Sequence, residues 1–177
     1  MDYKQILDKH GLTSALASAL EEMIEGAIDV DIVVGDDGKL PTLATDGSAG
    51  YDLYTAEDVD IKDRRFKVSL DIRFSLPKGF AAIIKPRSGF TLKGMEVIDE
   101  RGNKKRIDAW VNDGVIDSDY RGIVNVMMES TVAYHNLPKG TKVAQMLIVR
   151  TRKVNWHKVP SLDNTDRGEG GFGHTGE

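Results

Sequence analysis

Phe66-Lys-Val-Ser-Leu-Asp-Ile-Arg-Phe-Ser-Leu76 is the stretch that decides the fold class. Every even-numbered position is apolar, whereas the odd-numbered positions are Lys, Ser, Asp, Arg and Ser. This alternation predicts a half-buried β-strand, because successive side chains of a strand point to opposite faces of a sheet. Further strands are predicted at 29–34, 80–84, 123–128 and 143–149. Many short strands separated by turns, with no helices alternating between them, favour a β-sandwich or barrel.

Ahead of these strands, residues 2–26 follow a helical period. Gly11 and Gly26 are placed to end two short helices, because glycine after the last helical residue adopts a left-handed conformation without a steric penalty. Apolar residues recur three or four positions apart, at Leu12, Leu16, Leu20, Met23, Ile24 and Ala27. This stripe predicts a helical extension that packs on its own domain, with a partner-binding helix as the alternative.

Composition bounds the class of protein. The chain has 177 residues, a net charge of −4 and no cysteine. The negative charge argues against stable nucleic-acid binding, and the lack of thiols excludes disulfides and thiolate metal sites. The apolar runs are too short to span a bilayer, and the N-terminus lacks a signal-type apolar segment. We therefore expect one soluble, cytoplasmic domain with no membrane association.

The C-terminal stretch Arg167-Gly-Glu-Gly-Gly-Phe-Gly-His-Thr-Gly-Glu177 contains five glycines, one aromatic residue and an arginine at its start. Glycine N–H groups can wrap an oxyanion closely, and arginine suits phosphate. Phe172 offers a flat face for a base. The tail therefore predicts a lid for a nucleoside polyphosphate, with a frayed terminus as the alternative.

Four internal stretches carry side chains that suit the same ligand. They are Asp46–Tyr54 with its carboxylate Asp52, Lys85–Phe90, Gly114–Gly122 with Asp117, Asp119 and Tyr120, and the pair Ala144-Gln145. Lys85-Pro-Arg-Ser-Gly-Phe90 places a cation, a hydroxyl and a glycine amide in succession, and all three donate to phosphate. Taken singly, these stretches keep plainer interpretations: the two aspartates as turn residues, and Pro-Arg-Ser-Gly as a surface turn.

Taken together, five stretches resemble the five ordered motifs of the trimeric dUTPase family. They are Ala49–Leu53, Pro86–Gly89, Gly114–Gly122, Val143–Leu147 and Arg167–Gly176. The resemblance extends from about Val30 to the end and implies an all-β, distorted jelly-roll or barrel-like subunit. It also implies a homotrimer with shared active sites, which hydrolyses dUTP to dUMP and pyrophosphate with Mg²⁺. Such an activity limits uracil incorporation into DNA and supplies dUMP for thymidylate synthesis.

The resemblance also assigns roles to residues. Asp117 matches the family's water-activating aspartate, Tyr120 the tyrosine under the deoxyribose, and Asp52 an aspartate near the metal's water shell. The expected phosphate donors are Arg87, Ser88, Gly89, Gln145, Arg167, Gly171, Gly173, His174 and Thr175. Phe172 matches the aromatic residue that stacks on uracil, and the backbone around Asn112, Gly114 and Val115 is expected to bind its edge.

The expected organisation is a helical extension at 1–28, the β domain at 29–160 and the Gly-rich tail at 161–177, which closes over a neighbouring subunit's site. Residues 95–110 are longer than the family pattern and predict a β-hairpin insertion. Its basic residues Lys104, Lys105 and Arg106 suit a solvated face, with substrate or a regulatory protein partner as alternatives. His174 departs from the family's usual serine, so activity is expected to vary with pH near neutrality.

Two other functions compete. A dCTP deaminase shares this fold, but the position of its catalytic glutamate is Met127 here, and Glu129 lies two residues further along. The second competitor is a non-enzymatic nucleotide sensor, which would have no need of a general base such as Asp117.

Overall fold

The structure is a computed structural model that describes Ile6, Leu16, Ser18, Ala19 and residues 26–170. The four isolated N-terminal residues are helical. The remainder of the predicted helical extension and tail residues 171–177, among them Gly171, Phe172, Gly173, His174 and Thr175, lie outside the described residues.

Residues 26–170 form thirteen β-strands and one short helix. The strands are β1 (Asp31–Val34), β2 (Tyr51–Tyr54), β3 (Val59–Ile61), β4 (Arg65–Ser69), β5 (Ile72–Ser75), β6 (Phe80–Lys85), β7 (Met95–Asp99), β8 (Lys104–Ile107), β9 (Ala109–Val111), β10 (Gly114–Asp117), β11 (Asn125–Ser130), β12 (His135–Leu137) and β13 (Lys142–Arg150). The helix is α1 (Ser88–Lys93). The all-β prediction is confirmed for this part of the chain.

The strands form four small antiparallel sheets. Their orders are β1-β5, β10-β6-β13-β2, β4-β11-β9 and β3-β12-β7-β8. The inner faces enclose one apolar core, in which Ile61, Val68, Met128 and Leu137 are fully buried. Such packing of small sheets around one core agrees with the expected jelly-roll-like architecture.

The predicted single strand over 66–76 is wrong, although its buried face is correct. All six even-numbered side chains from Phe66 to Leu76 are buried, but the strand is divided into β4 and β5, which belong to different sheets. The break falls at Asp71, whose φ is 46°, a value that Asp tolerates better than most residues. The Asp71 carbonyl accepts the Gly35 N–H at 2.8 Å. A Cβ on Gly38 would approach the Asp71 carbonyl oxygen to 2.5 Å, so the corner needs glycine there.

Residues 95–107 form a β-hairpin. β7 pairs with β8 from Met95 opposite Ile107 to Ile98 opposite Lys104. The turn includes Gly102 at φ 79°, and the Asp99 carboxylate accepts the backbone N–H groups of Arg101 and Asn103 at 2.9 and 2.8 Å. The basic residues of β8 pair within the hairpin, since Lys104 reaches Glu96 and Lys105 reaches Asp99.

The chain beyond β13 leaves the body as an exposed arm, residues 151–170. The Thr151 N–H still donates to the Gly79 carbonyl at 2.8 Å, after which the arm residues are exposed up to Glu169. Trp156 and Leu162 keep 89% and 85% of their surface accessible. Within the described residues, no helix has the length and hydropathy needed to cross a membrane.

Candidate active site

Asp52 is the one charged residue that is buried within the described part of the chain. It lies in the middle of β2, where its Oδ1 accepts a hydrogen bond from Arg87 Nε at 2.7 Å. Its Oδ2 accepts one from Lys142 Nζ, also at 2.7 Å. A buried carboxylate is tolerated only when it is paired in this way.

Lys142 and Arg87 determine the direction in which the pKa of Asp52 is shifted. Burial alone raises the pKa of Asp52, but the Lys142 hydrogen bond and the charges of Arg87 and Lys142 outweigh burial and lower it below its usual value. The hydrogen bond to Asp52 in turn raises the pKa of Lys142. All three groups are therefore ionised near neutral pH, and together they carry one net positive charge.

Arg87 is held by one edge of its guanidinium only. Its Nε is bound to Asp52, while its terminal nitrogens have no partner among the described residues. Those two nitrogens form a fork that suits phosphate oxygens. Ser88 and Gly89 follow as exposed residues at the start of α1, where backbone N–H groups lack partners within the helix. The three predicted donors Arg87, Ser88 and Gly89 thus share one loop at the end of β6.

Gln145 fixes this loop from the neighbouring strand. On β13 it stands between Asp52 of β2 and Lys85 of β6, and its Nε2 donates to the Pro86 carbonyl at 2.8 Å. A Cβ on Gly50 would lie 2.5 Å from Gln145 Oε1, so glycine at 50 leaves room for the amide. We call Asp52, Arg87, Ser88, Gly89 and Gln145 the Arg87 cluster.

Asp117 ends β10, and its side chain has no partner among the described residues. Its carbonyl accepts the Tyr120 N–H at 3.1 Å, which closes a tight turn. The Tyr120 hydroxyl donates to the Ile123 carbonyl at 3.0 Å, and 42% of the residue is exposed. A Cβ on Gly122 would approach Tyr120 Oη to 2.4 Å, so the ring position depends on that glycine.

β10 is an edge strand of its sheet, next to β6 alone. One row of its backbone N–H and C=O groups therefore faces outward, with Val115 63% exposed beside it. Gly114 pairs with Ile84 of β6. Asn112, which was expected to bind uracil, already has hydrogen-bond partners within the chain. Its backbone N–H donates to the Met127 carbonyl, and its Nδ2 lies 3.5 Å from Glu129 Oε1. We call Asn112, Gly114, Val115, Asp117 and Tyr120 the Asp117 cluster.

Within one chain, Asp117 and Arg87 lie near opposite ends of β6. Asp117 pairs with Ala81, whereas Arg87 follows the far end of the same strand β6. At about 3.3 Å per residue, the six positions from 81 to 87 separate them by roughly 20 Å. The backbones of these two residues are therefore far apart in one chain, although Gly114 of the Asp117 cluster pairs with Ile84, three residues before Arg87.

The tail is described only at its start. Arg167 Nε donates to the Gly170 carbonyl at 2.9 Å, and Gly170 N–H donates back to the Arg167 carbonyl at 3.0 Å. Gly168 adopts φ 52°. The remaining predicted tail residues lie outside the described part of the chain.

A metal ion would find few protein ligands here. Within the described residues, no three His, Asp or Glu side chains group into a metal cage. Both oxygens of Asp52 already accept from cations. This donor set suits a Mg²⁺ ion that is held by substrate phosphates and water, since Mg²⁺ usually keeps several waters.

Sequence reasoning missed Lys142, Gly50 and Gly122. No sequence signal points to Lys142 because its position depends on a β-bulge in β13 between Lys142 and Ala144. Gly50 and Gly122 lie inside two of the motif stretches, Ala49–Leu53 and Gly114–Gly122, and this position was the available signal, but they were given no role of their own.

Fold and side chains define an all-β, jelly-roll-like protein in which an arginine is anchored on a buried carboxylate. The sequence profile of the dUTPase family matches residues 36–176. The chain is 39% identical over 140 residues to the deoxyuridine 5'-triphosphate nucleotidohydrolase of Monkeypox virus, covering 78% of this chain and 83% of that one. It is 38% identical over 145 residues to that of Hydrogenobaculum sp., covering 80% and 92%. The chain belongs to the dUTPase family.

Solved structures agree on the fold. The dUTPase of Staphylococcus bacteriophage 80alpha, with dUpNHpp, matches with a TM-score of 0.71 at 20% identity, covering 85% of this chain and 100% of that one. A point mutant of the dUTPase from phage phi11 of S. aureus, described with a structural Mg(II) ion, matches with a TM-score of 0.61 at 18% identity, covering 76% and 98%.

Proposed function

We propose that this protein hydrolyses dUTP to dUMP and pyrophosphate. One observation supports this most: in a chain of the dUTPase family, the Arg87 fork is anchored on a buried carboxylate and keeps its terminal nitrogens for phosphate. Such an activity would limit uracil incorporation into DNA and supply dUMP for thymidylate synthesis.

In the proposed reaction, the Asp117 carboxylate takes a proton from a water molecule. The water oxygen bonds to the α-phosphorus, and the bond from that phosphorus to the bridging oxygen breaks, so that pyrophosphate leaves. Mg²⁺ bound to the phosphates would neutralise the charge that builds up on the leaving group. Arg87, Ser88, Gly89 and Gln145 would hold the phosphate chain in line for this attack.

Tyr120 and β10 would select the nucleoside. The exposed backbone edge of β10 can donate and accept hydrogen bonds along the uracil edge. The Tyr120 ring, fixed by its bond to Ile123, would pack under the deoxyribose and leave no room for a 2′-hydroxyl. Phe172 would stack on the base when the tail closes.

A homotrimer with shared sites would join the two clusters. Arg87 of one subunit and Asp117 of another can face each other even though the two residues lie about 20 Å apart along β6 within one chain. The arm is consistent with this proposal, because it presents the exposed apolar side chains of Trp156 and Leu162, which a neighbouring subunit could cover. An apolar groove of about 260 Å³ between β1 and β13 offers a surface for such an arm. Its lining includes Ile28, Ile32, Leu40, Tyr51, Phe74 and Met146.

The test is product analysis with Mg²⁺ and dUTP, dCTP, dTTP or UTP in separate reactions. We expect dUMP and pyrophosphate from dUTP alone.

Asp117→Asn should slow turnover by about 10²–10⁴-fold, because it removes the base and keeps the shape. Asp63→Asn is the control, since it neutralises an exposed carboxylate outside the motifs and both clusters and should leave turnover unchanged. Equal rates for the Asp117 variant and the wild type would refute the role of Asp117.

The same assay tests the competing functions. Deamination of dCTP would assign the chain to the dCTP deaminases. Against that activity, Glu129, the glutamate two residues beyond the deaminase position, is already paired with Arg65 at 3.0 Å and Arg64 at 3.5 Å. Binding of dUTP without turnover would favour a nucleotide sensor.

A further inference from the structure

Lys142 contacts the buried carboxylate of the Arg87 cluster from the side opposite Arg87. The Asp52 side chain is 9% exposed and those of Arg87 and Lys142 are 31% and 42% exposed, with each N–O distance at 2.7 Å. Arg87 and Asp52 alone would form a neutral pair. Lys142 changes that balance, because the three groups together carry one net positive charge.

The backbone is irregular where it places this lysine. In a regular strand, residues 142 and 145 would point to opposite faces of the sheet. Here Lys142 pairs with Tyr54 and Gln145 pairs with Asp52, two residues apart in β2 and therefore on one face. The extra residue of the bulge lies between them, and both Val143 and Ala144 are fully buried. A bulge beside a functional site commonly re-aims a side chain in this way.

The ring of Tyr54 also lies near the Lys142 ammonium. Its Nζ lies 5.7 Å from the centroid of the Tyr54 ring. The Tyr54 hydroxyl is in turn fixed by a 2.6 Å hydrogen bond with Thr42 Oγ1. The Lys142 ammonium is thus oriented chiefly by the Asp52 carboxylate, because Lys39 Nζ lies closer to the Tyr54 ring, at 3.9 Å.

From this geometry we propose that Lys142 is a positioning residue for substrate phosphate. Lys142 offsets the negative charge of Asp52. The Arg87 guanidinium is therefore held in one direction by Asp52 and still presents a positive charge to the triphosphate. This inference rests on the proposed function, and it assigns to Lys142 no direct contact with the substrate.

The experiment measures binding of the analogue dUpNHpp and of dUMP, together with kcat and KM for dUTP. Lys142→Met should weaken analogue binding and raise KM by about tenfold, as expected for a lost charge-assisted interaction. The change in kcat and in dUMP affinity should stay within about threefold, because dUMP lacks the β- and γ-phosphates. Lys142→Arg should restore most of the affinity. Lys142→Gln repeats the test if the methionine variant does not fold.

Two controls separate positioning from other roles. Lys62→Met removes a lysine that is 3.9 Å from Asp60 on the surface and should leave both constants unchanged. In an Asp52→Asn background, Lys142→Met should have little further effect, because its partner carboxylate is already gone. Full additivity would mean that Lys142 acts on phosphate directly and would overturn the proposal.

The remaining outcomes are decisive as well. Unchanged analogue affinity in Lys142→Met, or an equal loss for dUMP, would overturn the positioning role while the proposed function stands. A wild-type protein that neither binds nor hydrolyses dUTP would overturn both.

Discussion

Tyr120 can lie across the backbone only because residue 122 has no side chain. A Cβ on Gly122 would come within 2.4 Å of Tyr120 Oη and 2.6 Å of Cζ, both far inside van der Waals contact. The ring would have to move, and its 3.0 Å hydrogen bond to the Ile123 carbonyl would break. If the ring sets the space below the sugar, its displacement should change which sugar is accepted.

We therefore expect Gly122→Ala to lower kcat/KM for dUTP by about tenfold, with a smaller loss for UTP, since a misplaced group weakens substrate orientation. The measurement is kcat/KM for both nucleotides. Gly47→Ala is a matched control, because an added Cβ there meets no atom within 4 Å. An unchanged ratio between the two substrates would show that Tyr120 does not depend on Gly122.

The sequence motifs indicated which residues carry suitable chemical groups, but they did not indicate which residues contact one another. The motifs point to Asp52 and Arg87 from their own sequence, and the structure pairs the two at 2.7 Å. Lys142 joins them through a bulge, and an alternation pattern cannot predict a bulge because one extra residue shifts the register. The expected role of Asp52 near a metal stays a prediction.

At the scale of elements, alternation predicted burial better than it predicted strand limits. The six apolar residues of 66–76 are all buried, yet the stretch turns at Asp71 because its two halves pair with different strands, β11 and β1. Sheet membership depends on partners far along the chain, which local periodicity does not contain. The hairpin over 95–107 was easier to predict, since its turn signal Arg101-Gly-Asn103 lies between Val97-Ile98 and Ile107.

The Asp99 carboxylate in the turn of that hairpin should make the stability of the hairpin depend on pH. The pKa of Asp99 is lowered from 3.8 to about 2, first by the backbone N–H of Asn103, against the effect of burial, and then by Lys105. Because the folded state has the lower pKa, the carboxylate stabilises the hairpin above pH 3.8, and this stabilisation is lost as the pH falls from there toward 2.

A ¹³C NMR titration of the Asp99 carboxyl should show the low midpoint, and the Asn103 amide should shift with it. In Lys105→Met, most of the depression should remain, because the backbone hydrogen bond is its largest cause. A midpoint near 3.8 in the wild type would mean that Asp99 does not hold the turn.

For the whole molecule, the sequence motifs name the groups that are expected to form the site, and the fold separates two of them within one chain. Asp117 of β10 pairs with Ala81 near the start of β6, whereas Arg87 follows the end of β6, and the arm carries exposed apolar residues away from the body. Neither feature follows from composition or period, because both depend on how the strands are ordered in the sheets. Both support a site completed by other subunits.

Sharing of the site can be tested by complementation. A chain that ends at Asp166 should fold and form trimers by light scattering but lose most of its dUTP hydrolysis, since the lid is removed. Asp117→Asn should also be nearly inactive. When the two are co-expressed, about a quarter of the sites in randomly assorted trimers combine an intact Asp117 with an intact tail from another subunit. Activity should therefore return in the mixture. If tail and base act within one chain, every site lacks one of them and the mixture stays inactive.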